Sequence, residues 1–361
     1  MAKQAGEIRD RWSWVEPEVW TERMLTALEK GVKGGKWFSL IDKVYAISTL
    51  TTAYAQVKGN GGSAGVDNQT IGMFEKRLKD NLEQLSRELR DGTYQPKPIK
   101  RVYIPKPGST EKRPLGIPTV RDRVAQAAFK MVMEPIFEWD FSDRSYGFRP
   151  GRGCKDALRE VDQALNRGYS WVVDADLKSY FDTIPHDRLM ELISRKVSDS
   201  RVLKVVEAYL NQSVMDSIKC WQPEQGTPQG AVLSPLLSNI YLDPLDQEMS
   251  DGDEIMIRYA DDFVILCKSE EQARKSLERV QEWTERNGLT LHPVKTHIVD
   301  ATQKGGFDFL GYHFERGYRW PRKKSMNKVK DAIRQKTKRA NGHSMEKIIT
   351  EINYTLKGWF E

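Results

Sequence analysis

Two short apolar runs, Ile255 to Tyr259 and Phe263 to Cys267, are separated only by Ala260-Asp261-Asp262. Runs rich in β-branched and aromatic residues, joined by so short a break, read as a tight β-hairpin. Its tip then carries two adjacent carboxylates. Like charges side by side repel, which is costly without a cation. Asp also forms turns through its own backbone hydrogen bonds. That reading leaves unexplained why both flanking strands are apolar, which puts the acids at the end of a buried sheet. A second apolar strand, Trp171-Val172-Val173, runs into Asp174-Ala175-Asp176. Two strands delivering carboxylates to one sheet end make a site for a divalent metal with oxygen ligands, as Mg²⁺ prefers. Two such ions ~3.5–4 Å apart can activate an attacking oxygen and stabilise a leaving one.

The rest of the chain narrows the chemistry. With 361 residues, two or three domains or one multi-lobed enzyme are expected, at roughly 100–200 residues per domain. Hydrophobic residues at 39% and charged residues at 30% exclude a disordered, collagen-like or coiled-coil chain. No apolar run approaches the ~18 residues of a membrane helix. Met1 to Asp10 is polar, carries Glu7 and Asp10, and is no secretory signal. The net charge is +6, and its distribution matters more than its size. Arg316 to Arg339 holds eleven Lys or Arg against the single acid Asp331, and Lys97 to Arg113 holds six against Glu111. Such clusters suit a polyanion, nucleic acid first, although either alone also fits a solvated basic face. Cys154, Cys220 and Cys267 are far apart and odd in number, which fits a reducing compartment, and a cytoplasmic location is expected. His292 and His297 lack Cys or acidic partners in a zinc pattern, so any catalytic metal should take oxygen ligands.

Helical spacing of Trp20, Met24, Ala27 and Leu28 marks residues 1–50 as a helical extension. Lys58 to Asp67 is a Gly-rich loop without the GxxxxGK[ST] pattern, which excludes a P-loop ATPase. A helix is expected over 71–91. Ile99 to Ile104 and Arg113 to Ile117 read as a basic hairpin broken by prolines. Further helices are expected over 121–133, 154–167, 185–196, 201–211 and 270–287, with a strand at 170–174. Another helix opens at Ser234-Pro235, where Pro suits the first turn. A hairpin over 307–314 and two basic C-terminal helices complete the chain. Helices alternating with paired strands define an α+β class with an antiparallel sheet.

The order and spacing of these segments resemble the reverse transcriptases of group II introns. Asp174-Ala175-Asp176 through Phe181-Asp182 is similar to that family's first catalytic motif, and Gly226-Thr227-Pro228-Gln229-Gly230-Ala231-Val232-Leu233-Ser234-Pro235 to its nucleotide-contacting motif. Tyr259-Ala260-Asp261-Asp262 resembles the catalytic hairpin, Gly288 to Lys295 the following lysine motif, and Phe309-Leu310-Gly311-Tyr312 the primer-grip hairpin. Upstream, Arg101 to Lys106, Pro114 to Arg123 and Ser145 to Arg152 resemble the fingers motifs, and Asn60 to Asp67 the family's extra N-terminal loop. The match is colinear from about residue 45 to 315. Ala231-Val232 departs from the family's Gly-Pro, a small apolar change expected to alter packing only.

The resemblance implies a right-hand polymerase: an extension over 1–50, fingers over 51–170 with the loop at 58–67, a palm over 171–315, and a basic partial thumb over 316–361. It implies an RNA-directed DNA polymerase that copies RNA into cDNA with two Mg²⁺, Mn²⁺ substituting. It also implies maturase binding of the intron RNA as a ribonucleoprotein. The alternative is a free-standing bacterial reverse transcriptase in DNA repair or phage defence. Its partners would be an RNA template, a DNA or RNA primer and dNTPs, with no membrane. Asp176 and Asp261 would bridge the metals, with Asp262 in support. Asp174 and Asp176 share a strand face, so the pattern leaves either open. Asp176 is taken because Phe181 then falls where the family keeps the residue that blocks a ribose 2′-OH. Lys100, Arg101, Lys106 and Arg113 would bind the triphosphate, and Gln229 the nucleotide or template base. Lys295 would protonate the leaving pyrophosphate, although a surface lysine after a turn is an equally ordinary reading. Tyr259, Gly311, Arg149, Lys328 and Arg334 would meet the primer–template. No HNH endonuclease pattern is present. The family's thumb continues past Trp359-Phe360, so Ile348, Ile349, Ile352 and Leu356 are expected to form an uncovered apolar stripe. The chain is then expected to self-associate or to be a fragment of a longer protein.

Overall fold

Helix α1 (Glu22–Lys30) is bounded by chemistry at both ends. The Thr21 side chain accepts from the Met24 amide, and Gly31 leaves the helix at φ +83. The computed structural model describes residues 10–105, 112–216, 219–340 and 342–360. After a 3₁₀ turn come α2 (Ile41–Val44) and α3 (Ile47–Asn60). The segment before residue 50 is therefore broken, not continuously helical, because Gly31, Gly34 and Gly35 all sit at positive φ. It is also folded into the main core, where Trp20, Leu25 and Leu40 join Val124 and Phe129 in one cluster. The span over 71–91 likewise divides, into α4 (Ile71–Glu75) and α5 (Leu78–Asp91), with Gly92 as a left-handed cap. Strands β1 (Ile99–Pro105) and β2 (Lys112–Ile117) pair antiparallel, and α6 (Val120–Glu138) and α7 (Cys154–Asn166) follow.

The site-bearing half opens with β3 (Trp171–Asp176), then α8 (Tyr180–Thr183), α9 (His186–Ser194), α10 (Ser200–Leu210), β4 (Val214–Asp216) and β5 (Lys219–Trp221). Helix α11 (Ser234–Ser250) leads to β6 (Ile255–Tyr259) and β7 (Asp262–Cys267), then α12 (Glu270–Arg286) and β8 (His297–Asp300). Strands β9 (Phe307–Phe309), β10 (Tyr312–Glu315) and β11 (Tyr318–Pro321) precede α13 (Lys323–Lys336) and α14 (Met345–Phe360). Among the described residues three sheets result, in orders β2-β1-β4-β5, β6-β7-β3-β8 and β11-β10-β9. The class is α+β, and the second sheet is antiparallel throughout. Sequence patterning misses β4, β5, β8 and β11. Two are three residues long, and β11 is exposed along three of its four residues, so none shows a run of alternating burial.

The β6-β7-β3-β8 sheet is covered on both faces. Val173, Ala175, Phe263 and Ile265 face the larger core, which includes Leu237 and Leu245 of α11 and Val280 of α12. Val172, Ile257, Val264 and Leu266 face a second core with Leu158 of α7 and Phe307, Phe309 and Phe314 of the β9–β10 hairpin. Burial on both faces is why these strands read as unbroken apolar runs.

One half-buried acid adjoins this core. Asp243 of α11 accepts from the Ser142 amide at 3.4 Å and the Gln247 side chain at 3.1 Å. Burial first, then the nearby Asp246, pushes its carboxyl up to about 6. The folded value exceeds the unfolded one, so its contribution to stability is full at low pH and lost as pH rises through about 6. Thermal melts from about pH 4 to 7 should show that loss, most of it below about pH 6, in the parent and a flatter profile in Asp243→Asn. Parallel profiles would remove Asp243 as the cause.

Candidate active site

Antiparallel registry decides which side chains meet. Asp176 lies opposite Asp262, and Asp174 opposite Val264. Opposed residues share a face, and so do residues two apart on a strand. Asp174, Asp176 and Asp262 therefore share the face that begins with Val172 and Leu266. Beyond the apolar core this face opens into a cleft of about 1350 Å³ lined by all three acids with Tyr259, Lys295, Gly311 and Arg322. Asp261 occupies the turn between β6 and β7, after Ala260 at φ +61.

The acids are electrostatically strained. Burial, then Asp174, Asp261 and Asp176, raise the Asp262 carboxyl to about 7. Burial raises Asp174 to about 6, with His297 opposing. Asp261 is raised by burial and by Asp176, against Arg113 and Arg258. The Lys295 ammonium lies 2.7 Å from Asp176 Oδ2. Among the described residues, no three His, Cys, Asp or Glu side chains already converge as a closed metal shell. A hard cation such as Mg²⁺ takes only one or two protein carboxylates and completes its octahedron with water and phosphate oxygens. An all-oxygen donor set of mutually repelling carboxylates on an open cleft fits that group.

The turn is held from below by a buried guanidinium. Arg258 of β6 is 1% exposed. Its Nε meets both Asp246 oxygens at 2.8 and 3.0 Å. Its Nη1 donates to Asn239 Oδ1 at 2.9 Å and to the Ala260 carbonyl at 2.7 Å. Asn239 Nδ2 donates to the Gly147 carbonyl at 2.9 Å. Gly147 lies so close to the turn that a Cβ there would stand 2.1 Å from the Ala260 nitrogen. An arginine directly after the apolar run Ile255-Met256-Ile257, still within β6, is the one sequence sign of this network, since a buried cation demands a buried acid.

A smaller pocket of about 210 Å³ holds Phe181 with Arg101, Trp221, Gly226, Thr227 and Pro228. The Thr227 amide donates to the Phe181 carbonyl at 2.6 Å, which ties the Gly226–Pro228 loop to α8, just beyond β3. Arg101 stacks on Trp221 at 5.0 Å. Arg113 Nε donates to Gln229 Oε1 at 3.1 Å.

The sequence-derived residues divide accordingly. Asp176, Asp262, Lys295, Tyr259 and Gly311 gather on the main cleft with Asp174, and Asp261 is at its turn. Two assignments need correction. Lys100 and Arg101 are neighbours on β1, so the pleat sends them to opposite faces, and Arg113, opposite Ile104, shares the Lys100 face. They do not form one cationic cluster. Arg149 is 6% exposed, and its guanidinium is committed to Glu138 and to the Ser142 and Ser145 carbonyls, so it is not a free nucleic-acid contact. Lys106 lies outside the described residues. Lys328 and Arg334 are exposed on α13, where Arg334 pairs with Asp331 at 2.9 Å. Sequence reasoning missed His297, Asp308, His313 and Trp320, which also line the cleft.

Residues 104–314 match the family described as reverse transcriptase (RNA-dependent DNA polymerase). Protein YkfC of Escherichia coli (strain K12) is 33% identical over 348 residues, covering 84% of this chain and 86% of that protein. The group II intron-encoded protein LtrA of Lactococcus lactis subsp. cremoris is 38% identical over 198 residues, covering 54% of this chain. The match spans 32% of LtrA's own length. Among solved structures, a chain of the Partial Cas6-RT-Cas1--Cas2 complex is 26% identical with a TM-score of 0.44, covering 69% of this chain and 41% of that one.

The close approach at Gly147 sets a measurable demand. Both nearest atoms are backbone, which cannot swing aside, so Gly147→Ala must move the turn. A loss of roughly 1–3 kcal/mol is expected, the scale of overpacking, read by urea unfolding. An unchanged midpoint would show that the turn yields freely.

Proposed function

The chain belongs to the reverse transcriptase (RNA-dependent DNA polymerase) family, of the group II intron type, and from that premise we propose that it extends a primer on an RNA template by two-metal nucleotidyl transfer at the Asp176–Asp261–Asp262 cleft. One observation carries the reading: the β3–β7 register sets Asp176 opposite Asp262, with Asp261 next in the turn. Divalent ions held by Asp176 and Asp261, with Asp262 beside them, would supply the Lewis acidity for attack of the primer 3′-hydroxyl and departure of pyrophosphate. Mg²⁺ is the expected metal and Mn²⁺ its substitute.

The protein's own groups do the positioning. Phe181 presents an aromatic wall to the nucleotide ribose and excludes a 2′-OH. Gln229, held by Arg113 and by its carbonyl on the Gly116 amide at 2.7 Å, forms the floor of the nucleotide. Arg113, the cation whose charge opposes the upward shift of Asp261, binds triphosphate oxygens. Lys295 is close enough to Asp176 to reach the leaving pyrophosphate and donate a proton to it. Tyr259 and Gly311, on the cleft wall, contact the primer end. The exposed lysines of α13 meet the duplex backbone through phosphate charge rather than base identity. The substrates are dNTPs, and the intron RNA is a partner in a ribonucleoprotein, in keeping with the named relative LtrA.

Primer extension on an RNA template with dNTPs and Mg²⁺ tests the reading. Asp176→Asn and Asp261→Asn should each reduce extension by roughly 10³-fold, the loss expected when a group acting on developing charge is removed. Extension within tenfold of the parent would move the metal ligands elsewhere. Phe181→Ala should raise ribonucleotide use relative to deoxyribonucleotide by about 10-fold or more, the scale of a steric pocket. Unchanged sugar preference would place the gate at another side chain.

A further inference from the structure

Three segments of the proposed site meet the entry and the first two turns of α11. Tyr180, beside Phe181, donates its buried hydroxyl to the Ser238 carbonyl at 2.8 Å. The Gly226–Gly230 loop runs directly into α11, whose entry is fixed by Gln126 Oε1 accepting from the Val232 amide at 2.8 Å. The next residue, Asn239, is 1% exposed and reaches the catalytic turn from two sides. Its Oδ1 accepts from Arg258, which also holds the Ala260 carbonyl. Its Nδ2 donates to the Gly147 carbonyl, on the backbone that abuts the Ala260 nitrogen. An amide is the side chain suited to this place, since it must accept from a cation and donate to a carbonyl at once.

We propose that Asn239 is a positioning residue for nucleotidyl transfer, setting the Asp261–Asp262 turn against the Phe181 nucleotide pocket through Arg258 and Gly147 without touching substrate. This rests on the polymerase reading. Ala260 holds a left-handed conformation at φ +61, which is unfavourable for a residue with a Cβ. The turn keeps that shape because the Ala260 carbonyl faces Arg258 and its nitrogen faces Gly147. Removing Asn239's amide takes one of two acceptors from Arg258 Nη1, whose other acceptor is the Ala260 carbonyl, and takes the Nδ2 donor from the Gly147 carbonyl. The carboxylates then shift relative to the nucleotide, and a ~1 Å misplacement costs on the order of 10²-fold in rate.

Single-nucleotide incorporation, with active sites titrated, separates this from a merely structural role. Asn239→Leu removes both bonds at similar volume. Asn239→Asp keeps the acceptor for Arg258 and loses the donor to Gly147. The incorporation rate should fall on the order of 10²-fold in Asn239→Leu and roughly 10-fold in Asn239→Asp. Apparent nucleotide affinity and primer–template affinity should stay within about threefold, the pattern of an interaction felt only in the transition state. Ser276→Ala, a buried polar change on α12 away from the turn, supplies the comparison: it should lower the melting temperature and leave the rate of the folded fraction unchanged. A parental rate in titrated Asn239→Leu, or in Asn239→Asp should the former not fold, would overturn the proposal. So would equal losses in Ser276→Ala. Failure of the parent chain to extend any primer would instead reject the polymerase reading itself.

Discussion

The registry of β3 against β7 is the constraint on which the site depends. Side chains on a strand alternate faces, so a slip of one residue would turn Asp174 and Asp176 toward Val280 and Leu237 and aim Val173 and Ala175 at the cleft. Burial makes that slip prohibitive, because it would put two carboxylates into an apolar core. The hydrophobic contacts on the two sheet faces therefore fix the position of the acids. The same packing that lets the sheet form also raises Asp174 and Asp262. Their strain prepares the cleft for positive charge.

Much of this was legible in the sequence, for physical reasons that differ by element. The β6–β7 hairpin and the end of β3 stand out because a double-faced buried sheet writes long apolar runs, and acids that interrupt such runs are conspicuous. α12 was legible from its acidic start, Ser269 cap and stop before Gly288. The short strands β4 and β5 were not, since three residues cannot show a period. Nor could the sequence resolve sides: adjacent Lys100 and Arg101 look like one basic patch until the pleat separates them. His297, Asp308 and His313 come from three different strands, and only the folding of β8, β9 and β10 onto the sheet brings them to the cleft.

Arginine was the residue type most prone to misreading. Arg149 lies in a segment that resembles a fingers motif and Arg258 directly precedes the catalytic-hairpin motif, yet both are buried and spent on protein oxygens. Each guanidinium meets a carboxylate, Glu138 or Asp246, and then bonds to backbone carbonyls. A planar fork of donors suits such a place better than a lysine point charge. Breaking a buried pair from one side leaves the other charge stranded, so these arginines bear on function through the loops they hold. Arg149 gathers residues 142–149, and that segment lies along β6 through the Tyr146 amide on the Arg258 carbonyl.

The C-terminal helices obey a different rule from the rest of the chain. Val329 is the single buried residue of α13, and α14 has none. On α14, Ile349 and Leu356 are 51% and 42% exposed while Ile348 and Ile352 are half-buried, so the apolar stripe read from the sequence is covered only in part among the described residues. The link to the sheet is narrow: the Arg322 amide and the Ser325 hydroxyl both bond to the Gly311 carbonyl, at 3.0 and 3.2 Å. Elements with little buried surface open at low free energy. A polymerase needs its duplex-facing part to yield while the carboxylates stay fixed. In this chain the two demands fall on different packing. The acids are set in a sheet buried on both faces, and the basic helices join it beside the cleft through a few hydrogen bonds at Gly311.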